Sequence, residues 1–162
     1  HFKTILKMAI EIEHKYLVID DSYKSAAICK HKIMQGYLSD KREQTVRIRT
    51  IDEKAFVTIK GITKGASRLE YEYEIPFDDA VNMLQNVCLK PIISKTRHIV
   101  EFDGERWEID EFHESLTGLT LAEIELPNES HQYSKPHFIG KNVTGDTRYY
   151  NSNLAKANSV PK

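Results

Sequence analysis

The chain has 162 residues, and its 23 Lys and Arg against 24 Asp and Glu leave a net charge of −1, which excludes the broad basic field of a nucleic-acid or acidic-membrane binder. With 40% hydrophobic and 29% charged residues the composition excludes disordered and fibrous classes, and the length suits one domain burying roughly 68–70% of its unfolded surface. Cys29 and Cys88 lack any CxxC spacing, no apolar run reaches the roughly 18–20 residues of a membrane span, and no signal-peptide core is found, so a cytoplasmic protein without a membrane partner is expected.

Residues 1–9 read as an N-terminal extension, with Met8 a candidate start, 10–157 as a single domain and 158–162 as a C-terminal tail. From Ile10 to Tyr16 the chain alternates with period two, placing Glu11, Glu13 and Lys15 on one face and Ile10, Ile12 and Tyr16 on the other. Ser22 is the expected cap of a helix running to about Met34, followed by a short strand at Gln35-Gly36-Tyr37-Leu38. Val46-Arg47-Ile48-Arg49 and Val57-Thr58-Ile59-Lys60 alternate again, and Arg68 to Ile75 is the longest alternation. Tyr71 and Tyr73 lie on its apolar face and are expected in the core. Asp78 is the expected cap of a helix from Asp79 to Val87, with Val81, Leu84 and Cys88 at helical spacing before Pro91. Strands follow at Lys95-Thr96-Arg97-His98, Trp107-Glu108-Ile109-Asp110 and Ala122-Glu123-Ile124-Glu125-Leu126, with a third helix from about Thr147 to Ala157. Gly61, Gly65, Gly118 and Gly145 mark turns between strands, and Asp103-Gly104 marks a tight hairpin. The expected class is α+β, with antiparallel strands whose closure would remove exposed sheet edges.

If the charged faces share one side, it holds Lys15, Arg47, Arg49, Lys60, Arg68, Lys95 and Arg97 with Glu11, Glu13, Glu70, Glu72, Glu108, Asp110, Glu123 and Glu125. A solvent-facing sheet surface would mix Thr, Ser, Gln and Lys. Here most strands carry one sign, so like charges sit two residues apart, which a purely stabilising pattern avoids. Polyphosphate chemistry needs both signs in one cavity: Arg and Lys take phosphate oxygens, and clustered carboxylates take the hard divalent cations that bridge them.

Glu11-Ile12-Glu13-His14-Lys15 matches an ExExK signature. It is followed in order by Arg47/Arg49, Lys60, Arg68-x-Glu70-x-Glu72, Lys95/Arg97, Glu108-x-Asp110 and Glu123/Glu125. The stretch Phe138-Ile139-Gly140-Lys141-Asn142-Val143-Thr144-Gly145-Asp146-Thr147-Arg148-Tyr149-Tyr150-Asn151 completes the set. Together these motifs resemble the CYTH superfamily, the triphosphate tunnel metalloenzymes, over about residues 10–155. The resemblance implies a closed eight-stranded antiparallel β-barrel with flanking helices, whose tunnel takes a small-molecule triphosphate with one or two Mg²⁺ or Mn²⁺ ions.

By the same resemblance Lys15, Arg47, Arg49, Lys60, Lys95 and Arg97 would hold phosphate oxygens, with Arg68 as helper. Glu11, Glu13, Glu123 and Glu125 would be the main metal-binding carboxylates. Glu70, Glu72 and Asp110 would complete a second metal site or order water, and Glu11, Glu13 and Lys15 form the catalytic signature. His14 and His98 depart from the family pattern but by parity point away from the tunnel. The expected activity is metal-dependent hydrolysis of a triphosphate, foremost inorganic tripolyphosphate, by in-line attack of a metal-activated water. The alternatives are a class IV type adenylyl cyclase and a non-catalytic polyphosphate- or nucleotide-binding module.

Overall fold

In the computed structural model, which describes residues 10–162, the alternating segments pair antiparallel into one sheet that closes on itself; the predicted N-terminal extension, 1–9, lies outside the described residues. The strands are β1 (Ile10–Val18), β2 (Cys29–Lys41), β3 (Gln44–Ile51), β4 (Lys54–Lys64), β5 (Ser67–Ile75), β6 (Ile93–Phe102), β7 (Glu105–Phe112), β8 (Thr120–Glu125) and β9 (Ile139–Asn142). Their order is β5-β4-β3-β2-β6-β7-β8-β1-β9, and a β1–β5 pairing closes the first eight into a barrel. That seam is short, joining Ile10, Glu11 and Ile12 to Leu69, Arg68 and Ser67. Further along, the same edge of β1 takes β9, which lies outside the barrel. Helices are few: α1 (Tyr23–Ala26), α2 (Phe77–Asn86) and α3 (Asn151–Leu154).

Three apolar clusters hold the barrel. Ala80 and Leu84 of α2, with Cys88, cover the outside of β3 and β4 at Ile48 and Ala55. Gly36 lets β2 approach this layer, since a Cβ there would stand 2.6 Å from Ile92 Cδ1. A second cluster, centred on Trp107, Ile109, Ala122 and Ile124, packs on the outside of β7 and β8 beneath Tyr23 and Phe138. The third plugs one end of the barrel: Tyr149, Leu154 and Ala155 pack against Tyr37, Phe112 and Leu121. Val160 of the C-terminal tail lies against this plug.

Several expectations need correction. The helix expected from Ser22 to about Met34 stops at Ala26, and Ala27 is already extended (φ −68°, ψ 131°). Residues 29–41 instead form the longest strand, which pairs with β6 through Cys29–Gln35 and with β3 through Ile33–Lys41. A helix there would leave two strand edges without partners, so sheet closure overrides local helix propensity. The helix expected from Thr147 breaks at Tyr150 into a 3₁₀ turn at Thr147–Tyr149 and the short α3. Gly61 lies inside β4, where the register shifts between Lys60 and Thr63, and the hairpin turns at Gly65-Ala66 with Gly65 at φ +63°. Tyr71 and Tyr73 are 46% and 57% exposed, because among the described residues nothing covers the outer face of β5. By contrast Asp103-Gly104, both at positive φ, forms the expected two-residue hairpin between Phe102 and Glu105.

Candidate functional site

Because side chains opposite one another in an antiparallel pair share a face, the register decides which charges meet inside the barrel. Lys15 on β1 opposes Glu123 on β8, and Glu13 opposes Glu125. Arg97 on β6 opposes Asp110 on β7, and Lys60 on β4 opposes Glu70 on β5. Arg47 and Arg49 on β3 stand over Thr58 and Phe56 of β4, next to Glu72 and Glu74 of β5.

The interior is a set of linked ion pairs. Lys60 Nζ donates to Glu11 at 3.0 Å and lies 3.6 Å from Glu70. Glu72 accepts from Arg49 at 3.0 Å and from the Thr58 hydroxyl at 2.7 Å, with Arg47 3.6 Å away. On the opposite wall Asp110 accepts from Lys95 at 2.6 Å and from two nitrogens of Arg97 at 2.7 and 2.8 Å. Arg97 also pairs with Glu108 and lies 4.0 Å from Glu123. Lys15 Nζ stands 3.1 Å from Glu123 and donates to the Tyr149 carbonyl at 3.1 Å. The break at Tyr150 has a consequence here: a continuous helix would engage that carbonyl internally.

Burial and neighbouring charge divide the carboxylates. Burial pushes Asp110 up, but Arg97 and Lys95 outweigh it and hold the carboxyl far below the usual range. Burial likewise opposes ionisation of Glu123 and Glu11, yet Lys15 brings Glu123 down and Lys60 brings Glu11 down. Glu13 is the opposite case. Burial, then Glu123, then Glu11 push its carboxyl up to about 8, and it forms no ion pair among the described residues. Burial also raises Glu70 to about 7. Burial pulls Arg49 down to about 10, with Arg47 and Arg97 adding to the effect, and it stays charged at neutral pH.

An open cavity leads into this network between the β4–β5 hairpin, β1 and the C-terminal segment. Glu11, Glu13, Lys15, Arg47, Lys60 and Arg68 line it, so the structure brings these six predicted residues to one space. Arg49, Glu72, Lys95, Arg97, Asp110 and Glu123 form the ion-paired walls beyond it. Arg68 donates to the Gly61 carbonyl at 2.7 Å and to Thr45 at 3.0 Å. Glu125 shares its face with Glu123 but is exposed and forms no ion pair among the described residues. His14 and His98 point outward as expected, to Tyr133 and Glu111.

Sequence reasoning missed Thr58, which joins Arg47 to Glu72, and Thr45, Thr144, Tyr150, Asn151 and Ser152 on the cavity wall. Asn151 also accepts from Lys95 at 3.4 Å. The parity of Thr58 with Lys60 was a usable signal for the first. The Val143 to Asn151 stretch, matched as a motif, carried the signal for three of the others, Thr144, Tyr150 and Asn151.

Among the described residues no three His, Cys, Asp or Glu side chains converge on one coordinating point, because Lys15 and Lys60 occupy Glu123 and Glu11. The donor set nonetheless suits a hard divalent cation. All its members are carboxylate oxygens, and Glu13 stands without an ion pair among the described residues beside Glu11 and Glu123, whose charges add to burial in raising its carboxyl.

The sequence matches the CYTH domain over residues 9–157. It is 48% identical over 150 residues to an inorganic triphosphatase of Acetivibrio thermocellus, covering 92% of this chain and 95% of that protein. It is 32% identical over 149 residues to an inorganic triphosphatase of Nitrosomonas europaea, covering 90% and 96%. The crystal structure of an inorganic triphosphatase superposes with a TM-score of 0.64 at 30% identity, covering 94% of this chain and 97% of that one. With its closed eight-stranded barrel and charged interior, the chain belongs to the CYTH domain family.

Proposed function

We propose that this protein hydrolyses inorganic tripolyphosphate inside the barrel with the help of Mg²⁺ or Mn²⁺. The observation that carries the reading is the meeting of Lys15, Arg47, Arg49, Lys60, Lys95 and Arg97 with Glu11, Glu13 and Glu123 in one interior. Two near-full-length relatives named inorganic triphosphatase support it.

In this reading the interior ion pairs hold the places that substrate takes. An entering triphosphate offers oxygens to Lys60, Lys15, Arg47 and Arg49, with Arg68 at the rim and Lys95 and Arg97 on the far wall. As Lys60 and Lys15 turn to phosphate, Glu11 and Glu123 lose their lysine partners beside Glu13, and with Glu125 at the mouth they form the set that would hold the cation. A bound divalent cation neutralises phosphate charge and lowers the pKa of water. Glu70 and Glu72 remain to fix the arginines and lysine or to order water, and Asp110 keeps Lys95 and Arg97 aimed inward. The Tyr149 carbonyl gives the Lys15 ammonium a second acceptor besides Glu123. The charged interior offers no Ser or Cys paired with a base, so attack on the terminal phosphate falls to water. Both cysteines are free, which fits a cytoplasmic location.

The test is product analysis with Mg²⁺ or Mn²⁺ across tripolyphosphate, thiamine triphosphate and ATP. Rapid phosphate release from tripolyphosphate with little ATP turnover is the expected result. Cyclic AMP with stoichiometric pyrophosphate from ATP would overturn it in favour of a cyclase, and tight binding without product in favour of a binding module.

A further inference from the structure

We propose that Gln35 is a further substrate contact, an uncharged amide that meets phosphate oxygens from the β2–β3 wall of the barrel. The inference rests on the reading that the interior takes a triphosphate. On β2 the residues 33, 35 and 37 share the inward face: Ile33 opposes Lys95, Gln35 opposes Arg49, and Tyr37 opposes Arg47. Tyr37 lines the cavity, and both arginines are aimed inward at Glu72. Gln35 therefore stands between the arginine ladder and the far-wall lysine.

It is fully buried at 0% exposure, and among the described residues neither its Nε2 nor its Oε1 has a hydrogen-bond partner. The Nε of Arg47 and of Arg49 are also buried without partners. These four orphaned atoms lie along one strip of β2 and β3, and the other such atom among the described residues, Trp107 Nε1, lies in the apolar cluster outside the barrel. A buried amide without a partner is destabilising, and an apolar side chain of the same length would fill the position without that penalty. What keeps an amide there is a partner that the protein itself does not supply. Beside two guanidinium groups, that partner is the anion they bind: Nε2 donates to a non-bridging phosphate oxygen, while Oε1 accepts from ordered water at the same phosphoryl group. Unlike the cations, Gln35 adds direction without charge, so it sharpens placement of the phosphates along the tunnel.

The test compares wild type with Gln35→Met, which keeps length and removes both polar atoms, and with Gln35→Leu as a second packing solution. Thermal unfolding is measured alongside steady-state kinetics on tripolyphosphate. The expected result is a melting temperature equal to or above wild type, with KM raised about tenfold or more and kcat changed by less than about threefold. Tripolyphosphate should also raise the melting temperature of the variants less than that of wild type at equal concentration. Variants with wild-type KM, whatever their stability, would overturn the proposal and leave Gln35 a structural amide. Wild-type protein that neither binds nor hydrolyses tripolyphosphate would overturn the parent reading, and this one with it.

Discussion

Asp110 offers the sharpest stability test, because it joins Lys95, the most deeply buried cation among the described residues, to Arg97. Its side chain is 2% exposed, that of Lys95 is 1% exposed, and they meet at 2.6 Å. Replacing Asp110 by Asn leaves Arg97 its contacts with Glu108 and Glu123, whereas Lys95 loses its one carboxylate partner among the described residues and keeps neutral contacts such as the Asn151 amide oxygen at 3.4 Å and the Phe112 ring. Stripping one partner from a buried pair costs about 3–5 kcal/mol, since the remaining charge stays desolvated. At about 2–4 °C per kcal/mol for a domain of this size, the midpoint should fall by about 10 °C. Thermal unfolding followed by circular dichroism, in phosphate-free buffer with chelator, reads this directly. Saturating tripolyphosphate should restore part of the loss, as an anion replaces the missing carboxylate. The double variant Lys95→Met with Asp110→Leu should recover most of the stability, because removing both charges removes the unpaired one. As a control, Asp21→Asn breaks an exposed pair with Lys24 and should shift the midpoint by less than about 2 °C. A fall of less than about 3 °C for Asp110→Asn would mean that burial does not lock these charges together.

Glu13 makes a pH prediction. Burial, with Glu123 and Glu11 beside it, lifts its folded carboxyl from 4.5 to about 8, so the folded protein binds more protons than the unfolded chain between those values. Stability of metal-free protein should therefore fall as pH rises from about 5 to 8, and Glu13→Gln should flatten that fall; an unchanged slope in a melting series would count against it. Leu154, 1% exposed in the plug, should cost about 2–5 kcal/mol when cut to Ala, seen as a lower denaturant midpoint at unchanged slope. Arg47→Ala should weaken tripolyphosphate binding about tenfold or more while leaving the melting temperature of the ligand-free protein within a few degrees, because Arg49 and Thr58 keep Glu72 partnered; calorimetric titration separates the two effects.

Most of the barrel was legible because its strands have opposite faces of opposite character. Glu11, Glu13 and Lys15 turn inward while Tyr16 and its neighbours turn out to a covering layer, so polarity alternates and reveals the strand. β2 hides for the same reason in reverse. Its inward Ile33, Gln35 and Tyr37 and its outward Met34 and Gly36 are all shielded, one set by the interior and the other beneath α2. Without alternation, Lys30 to Met34 reads as helix. Tyr71 and Tyr73 failed differently: period two assigns them to the outer face, but nothing local states whether that face will be covered. The charged set was legible as a set, yet its pairing was not. That Arg97 faces Asp110 while Lys15 faces Glu123 follows from register across strands distant in sequence. Gln35 was invisible at the sequence level because its significance lies in the bonds it lacks.

Phosphate release from tripolyphosphate by wild type and by Glu123→Gln, with Mg²⁺ or Mn²⁺, shows whether the interior carboxylates and cations act together on a triphosphate. Glu123 touches Lys15 and lies near Arg97, so its loss frees cations without removing them. Wild type should release phosphate rapidly and the variant at least about a hundredfold more slowly, with tripolyphosphate still bound, as expected when transition-state stabilisation is lost and ground-state contacts remain. Equal turnover by both proteins, or none by wild type, would contradict that joint action.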